Sequence, residues 1–352
     1  MPVAQPPSLP PPGLPCPPAD LDDFLGRPTA RVVEVVGRTP GPFLILGAGG
    51  KIGLHLALML RQALVQLGRK DRVIAVSRFS TLRDQEDFTT RDIETIACDL
   101  GDAAALAKLP DAPTVFFLAG VKFGTAASLG LLRETNGEMP RRVAARYATS
   151  RIIAYSSGCV YPFVTATSGG ATERTPMEAV GDYAASCIAR ERAFQEISSA
   201  RGTPVALIRL NYSVEFRYGL LVDLAQKVQA GAPIDLTTGY VNVIWQSDAV
   251  AHSIQALDIA ASPAVPVNVT GPETLQVRDV AQQFGVAFGV PVTLTGSEAE
   301  TAWLNNAAYS HRIFGRPGTS VDQMIAWITE WLRGGGETWG KPTGFEKRDG
   351  RF

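Results

Sequence analysis

Four apolar residues, Phe43-Leu-Ile-Leu46, run straight into Gly47-Ala-Gly-Gly50-Lys51-Ile52-Gly53, and that turn leads into Leu54-His-Leu-Ala-Leu-Met-Leu60. The first run reads as a strand covered on both faces, and the stretch after the turn reads as a helix. Glycines at 47, 50 and 53 allow a tight turn, close approach of the backbone to a ligand, and close packing of helix on sheet. The start of such a helix offers free N–H groups and the positive end of its dipole, a natural seat for phosphate. A chain with this segment is expected to be α/β, with a dinucleotide pyrophosphate over the turn.

The pattern repeats downstream. Short β-rich runs at 72–77, 93–98, 114–118, 152–156 and 205–210 alternate with amphipathic stretches at 52–67, 102–109, 138–148 and 183–200. Strands alternating with helices give parallel βαβ units, and hence a doubly wound parallel sheet. Beyond Asn211 the pieces shorten: helices at 219–229, 249–259, 277–288 and 321–332, and strands at 242–245, 267–269 and 292–295. They read as a smaller lobe over the carboxyl ends of the strands, where open α/β sheets bind ligands. The expected division is a disordered proline-rich tail (1–18), a helical extension (19–42, with helices at 21–25 and 31–36), a dinucleotide-binding domain (43–212), a substrate lobe interleaved with it (213–333) and a glycine-rich tail (334–352) without an obvious core face.

Composition narrows the function classes. A formal net charge of −1 over 352 residues gives no footprint for nucleic acid or an anionic membrane. No apolar run reaches the roughly 18–20 residues that cross a bilayer, and the start lacks the pattern of a signal peptide. Cys16, Cys98, Cys159 and Cys187 show no metal-ligand spacing, so no metal and a reducing cytoplasm are expected.

Three further segments carry chemistry. The fourth strand ends in Phe117-Leu118-Ala119-Gly120-Val-Lys122. The fifth ends in Tyr155-Ser156-Ser157-Gly-Cys159-Val-Tyr161. The helix after it begins Asp182-Tyr183-Ala-Ala-Ser-Cys187, with Glu191 four residues on. With the G-x-x-G-x-x-G turn, these resemble the extended short-chain dehydrogenase/reductases, the NAD-dependent epimerase/dehydratase kind. That resemblance covers roughly 43–332. It implies a Rossmann fold with a smaller C-terminal substrate lobe, and Ser157 and Tyr183 as the catalytic pair. It also implies a homodimer through the helices around 138–148 and 183–200.

The cofactor residues expected from pattern and resemblance together are Gly47, Gly50, Lys51, Ile52 and Gly53 at the turn, and Ser77 and Arg78 after the second strand. Asp99 and Leu100 follow the third strand, then Leu118, Ala119, Gly120 and Lys122 the fourth, and Asn136 the next helix. No carboxylate ends the second strand to repel a 2′-phosphate, so NADP is favoured over NAD. Lys122 is open to two readings, a phosphate partner or an exposed side chain; Asn136 and Asp99 read equally as caps. Substrate contacts are expected from Asn211, Arg217, Trp245 and Gln246, which suit a hydroxylated or carboxylated small molecule.

One position departs from the resemblance. The pattern is Tyr-x-x-x-Lys, and Cys187 stands where lysine is expected. A phenol has a pKa near 10, so it needs a neighbouring cation to act as a base at neutral pH. Cys187 is open to reading as filler or as a thiolate, alone or as a redox pair with Cys159, and Lys122 or the cofactor's ring charge is left to replace the cation. The expected function is an NAD(P)-dependent oxidoreductase or epimerase acting on a secondary alcohol or ketone of a sugar-like or polyhydroxy-acid substrate. The alternative is a regulatory or scaffold protein that binds NAD(P) with reduced catalysis. The sugar-nucleotide dehydratases carry an Asp-Glu pair where this chain has Gly158-Cys159, which disfavours dehydration.

Overall fold

A computed structural model describes residues 13–80, 82–122 and 129–350. Most of the proline-rich segment lies outside them. Seven strands form the central sheet: β1 (Phe43–Leu46), β2 (Val73–Ser77), β3 (Glu94–Ala97), β4 (Thr114–Phe117), β5 (Arg151–Ser157), β6 (Val205–Leu210) and β7 (Val265–Val269). They are all parallel, in the order β7-β6-β5-β4-β1-β2-β3. The first crossovers lead outward from β1 to β2 and β3, and the later ones return to the other side through β4. That reversal opens a crevice at the carboxyl ends of β1 and β4.

Alternation along β1 explains the two helical layers, since successive side chains point to opposite faces. Phe43 and Ile45 enter a core with helix α2 (Ala30–Arg38) and helix α3 (Gly53–Gln66), whereas Leu44 and Leu46 enter the core under helices α4 (Met139–Arg146) and α5 (Gly181–Arg201). Helix α1 (Leu21–Leu25) and α2 pack on α3; Thr29 caps α2, its hydroxyl accepting from Val32 N at 3.2 Å.

The 213–333 stretch is divided between two bodies. Helices α6 (Leu220–Gln229), α8 (Val277–Phe288) and α9 (Val321–Arg333) surround a second core containing Phe216, Trp245, Phe284 and Ile328. The strand read as part of the lobe is instead β7, paired with β6 in the main sheet. Helix α7 (Gln246–Gln255) also packs on α2 and α3. A short apolar run carries no mark of which sheet it joins, and here the chain leaves the lobe to add an edge strand. Residues 334–350 run as an extended strap over α6. Phe345 is buried in the lobe core, Trp339 stacks on Tyr218 at 5.8 Å, and Thr343 donates from N and Oγ1 to Asp223 Oδ2 at 2.7 and 2.6 Å.

Candidate active site

The crevice holds two adjoining spaces. The first is a groove of about 650 Å³ between the glycine turn, the ends of β2 and β3, and the turn after β4. Gly47 has a φ of +89°, and a Cβ there would lie 2.4 Å from Ala119 N. A Cβ at Gly53 would lie 2.1 Å from Ala48 O, so close packing alone requires glycine. Gly50 faces open space apart from Gly47 O at 3.7 Å, leaving its backbone accessible to a ligand. Of the expected cofactor residues, the groove is lined by Gly47, Gly50, Ser77, Arg78, Asp99, Leu100, Leu118, Ala119 and Gly120; Glu134, Thr135 and Met139 join them unforeseen. A groove of this volume, with a glycine turn at its base and an exposed arginine at its rim, fits a dinucleotide.

Two of the expected residues carry structural tasks besides or instead of lining the groove. Asp99 lines it and also accepts from Gly101 N at 2.9 Å, while Asp102 caps the next helix. Asn136 is fully buried in a π-helical turn, Glu134–Glu138, leading into α4. Its amide accepts from Val121 N (3.0 Å) and Arg190 (2.6 Å), and donates to Val121 O and Ser186 Oγ (both 2.9 Å). It braces the turn after β4 against α5.

Lys51, Ile52 and Lys122 border the second space, a cavity of about 280 Å³ that also receives Ser157, Cys159, Tyr183, Asn211, Tyr212, Tyr218, Gln246, Trp303 and Thr343. Ser157 closes β5, and its hydroxyl accepts from Cys159 N at 3.3 Å. Tyr183 lies in the first turn of α5. Helix and strand are locked together behind the cavity by a buried network. Arg209 binds Glu191 through two nitrogens (2.9 and 2.7 Å), Ser156 donates to Glu191 at 2.6 Å, and Arg209 donates to Tyr161 at 2.6 Å. Such a pair specifies position more than it adds stability.

Cys187 is wholly buried one turn along α5, its thiol hydrogen-bonded to Cys159 and to Tyr183. The bond from Cys159, with help from the Arg190 charge and Tyr183, holds it down at about 7 against the pull of burial. Burial, with the negative charge of Cys187, pushes the Tyr183 phenol up, and the Cys159 thiol likewise rises beside Cys187. Of the three groups, Cys187 alone is shifted toward its charged form. Both cavity lysines are pushed down by burial, Lys51 to about 7 with repulsion from Lys122 and Lys341, and Lys122 to about 8.

The expected substrate residues separate into two pairs. Asn211 and Gln246 reach the cavity; Asn211 donates to Trp303 O at 3.3 Å, and Gln246 to Lys51 O at 3.0 Å. Trp245 is drawn into the lobe core against Phe216 at 4.9 Å between centroids. Arg217 is held by Asp22 (2.7 Å) and Glu215 (3.2 Å), within a buried cluster that includes His55 and Arg83. Tyr212, Tyr218, Trp303 and Thr343 take the places along the wall. Among the described residues no three His, Cys, Asp or Glu converge on a metal position, and no helix is long and apolar enough to cross a membrane.

The sequence profile described as "NAD dependent epimerase/dehydratase family" matches residues 43–238. No curated protein sequence matches. Among solved structures, MoeE5 in complex with UDP-glucose and NAD is similar at 19% identity and TM-score 0.67, covering 84% of this chain and 99% of that one. UDP-glucose 4-epimerase from Thermus thermophilus, in complex with NAD, is similar at 19% identity and TM-score 0.68, over 83% and 99%. DesIV, a dTDP-glucose 4,6-dehydratase from Streptomyces venezuelae with NAD bound, reaches a TM-score of 0.72 at 18% identity, over 83% and 97%. At these identities the likeness is one of fold.

Proposed function

The chain belongs to the NAD-dependent epimerase/dehydratase family, and from that premise we propose that it is an NAD(P)-dependent oxidoreductase or epimerase. Its substrate would be a secondary alcohol or ketone on a sugar-like or polyhydroxy molecule. The observation that carries this reading is the meeting of Ser157 and Tyr183, from separate elements, in one cavity beside a dinucleotide-shaped groove. The groove's turn, with the Leu118–Gly120 floor, would hold the cofactor, and Ser77 and Arg78 give a 2′-phosphate a place. When bound, the nicotinamide supplies the hydride acceptor or donor.

The protein's share is the proton. Ser157 orients the substrate oxygen by hydrogen bonding. In the oxidising direction that oxygen gives its proton to the Tyr183 oxygen while the phenol's own proton passes to the Cys187 thiolate, which ends as a thiol. Reduction runs the relay backwards. No free phenolate is needed, which suits a chain without lysine at 187. Asn211, Gln246 and Tyr212 offer hydrogen bonds suited to hydroxyl groups. Nucleotide sugars are named with the similar structures and form the first substrate class to test; dehydration stays disfavoured because Gly158-Cys159 supplies no carboxylate. A homodimer and a cytoplasmic location belong to the same reading.

The test is to release and identify the copurified cofactor, then assay nucleotide sugars and simple polyols with wild type and Tyr183→Phe. Turnover lost in the variant supports the reading. Tight cofactor binding with no turnover of any substrate, in either protein, supports the binding-only alternative that Cys187 suggests.

A further inference from the structure

We propose that Lys122, reaching in from the turn after β4, is the positioning residue whose charge replaces the cation missing at position 187. This rests on the reading of Ser157 and Tyr183 given above. Lys122 borders the same cavity as those two side chains, and its ammonium lies 5.9 Å from the centre of the Tyr183 ring. It is held there from the far side: Nζ donates to Thr343 O at 3.1 Å, and Thr343 is itself clamped to Asp223. The strap thus fixes the reach of a long side chain that would otherwise lose its position to rotamer freedom.

Two other cations lie near the relay, and of these the Arg190 charge also acts on Cys187 and Tyr183. Arg190, next along α5, turns its guanidinium to Asn136 Oδ1 (2.6 Å) and Tyr155 O (3.3 Å) beneath Gly120. Lys51, at the start of α3, sits over the Tyr218 ring, 3.1 Å from its centre. The charged and titratable groups facing Lys122 and the relay are Cys159 from the β5 turn, Cys187, Arg190 and Glu191 from α5, Asp223 from α6, and Lys51 and Lys347; Lys341 faces Lys51. The two thiols raise the affinity of Lys122 for its proton, and its charge in return lowers the Cys159 thiol. A cation opposite a thiolate–phenol pair favours whichever member bears the negative charge. That is the service a lysine one turn along the helix would give, delivered here from another strand.

The experiment compares wild type with Lys122→Met, Lys122→Arg and the double variant Lys122→Met/Cys187→Lys. Three quantities are measured: cofactor affinity, the pH profile of kcat at saturating cofactor, and thiolate absorbance near 240 nm in protein without substrate. Lys122→Met is expected to lower kcat about 100-fold. Its cofactor Kd should change by less than about threefold, and the thiolate midpoint should rise by about one unit. Lys122→Arg should retain most activity, and the double variant should recover about tenfold of the loss. Should position 187 not accept lysine, rescue of Lys122→Ala by ethylamine gives the same information. A weaker cofactor Kd with kcat and the thiolate midpoint both unmoved would overturn the proposal, leaving Lys122 as a phosphate ligand. If no substrate is turned over yet the thiolate midpoint still shifts, the charge placement stands and the reading of the reaction fails.

Discussion

The groove and the cavity lie side by side, yet they are built on different principles. The groove is drawn from one stretch of chain, residues between Gly47 and Met139, and its turn requires the absence of side chains at Gly47 and Gly53. The cavity is shaped by side chains from many distant segments, including Lys51, Lys122, Tyr183, Asn211, Trp303 and Thr343. A site whose turn depends on glycines tolerates little change there. A side-chain-walled site can be redrawn by single substitutions, and the relay proposed above through Cys187 is one such redrawing.

Several substitutions test that contrast, the most damaging first. Gly47→Val puts a branched side chain at a left-handed φ against the Ala119 backbone, so it should cost at least about 4 kcal/mol of stability and abolish cofactor binding. Urea unfolding and calorimetry measure both; a stable variant that still binds would refute the account of the turn. Tyr183→Phe should cut turnover about 1,000-fold while leaving cofactor affinity within about twofold, which separates the two spaces cleanly. Arg78→Glu should do the reverse, weakening NADP relative to NAD by about 10- to 30-fold with little change in kcat.

The pH dependence concerns the cavity alone. Cys187 is held at about 7, below an ordinary thiol, so its accepting thiolate form grows as pH rises through 7. The oxidation rate should therefore climb through that range and the reduction rate fall. Cys187→Ser should remove the limb near 7 and slow oxidation about tenfold. Smallest in consequence is the dimer: sedimentation at micromolar concentration should show two copies, and a monomer would refute it.

The same contrast explains what could be read from sequence. β1 and β6 have the expected bounds, and nine of the expected groove residues line it, because glycine placement and short-range periodicity encode that surface locally. Trp245 and Arg217 were expected at the substrate, but whether an aromatic or an arginine faces a cavity depends on partners far away, here Phe216 and Asp22. Nothing local marks Thr343 as part of the site; its segment has no periodicity, and its place follows from Asp223 and the burial of Phe345. Asn136 had a local signal, yet its work in bracing Val121 depends on the fold.

The strap also sets an order of assembly. Every residue lining the groove has been synthesised once Met139 has been added, whereas the cavity lacks the carbonyl that steadies Lys122 until Thr343 emerges, near the end of the chain. The groove's lining and the α5 side chains that brace it, Ser186 and Arg190, are therefore synthesised well before Thr343 completes the cavity, and a cofactor bound at that stage would stabilise the domain that holds it.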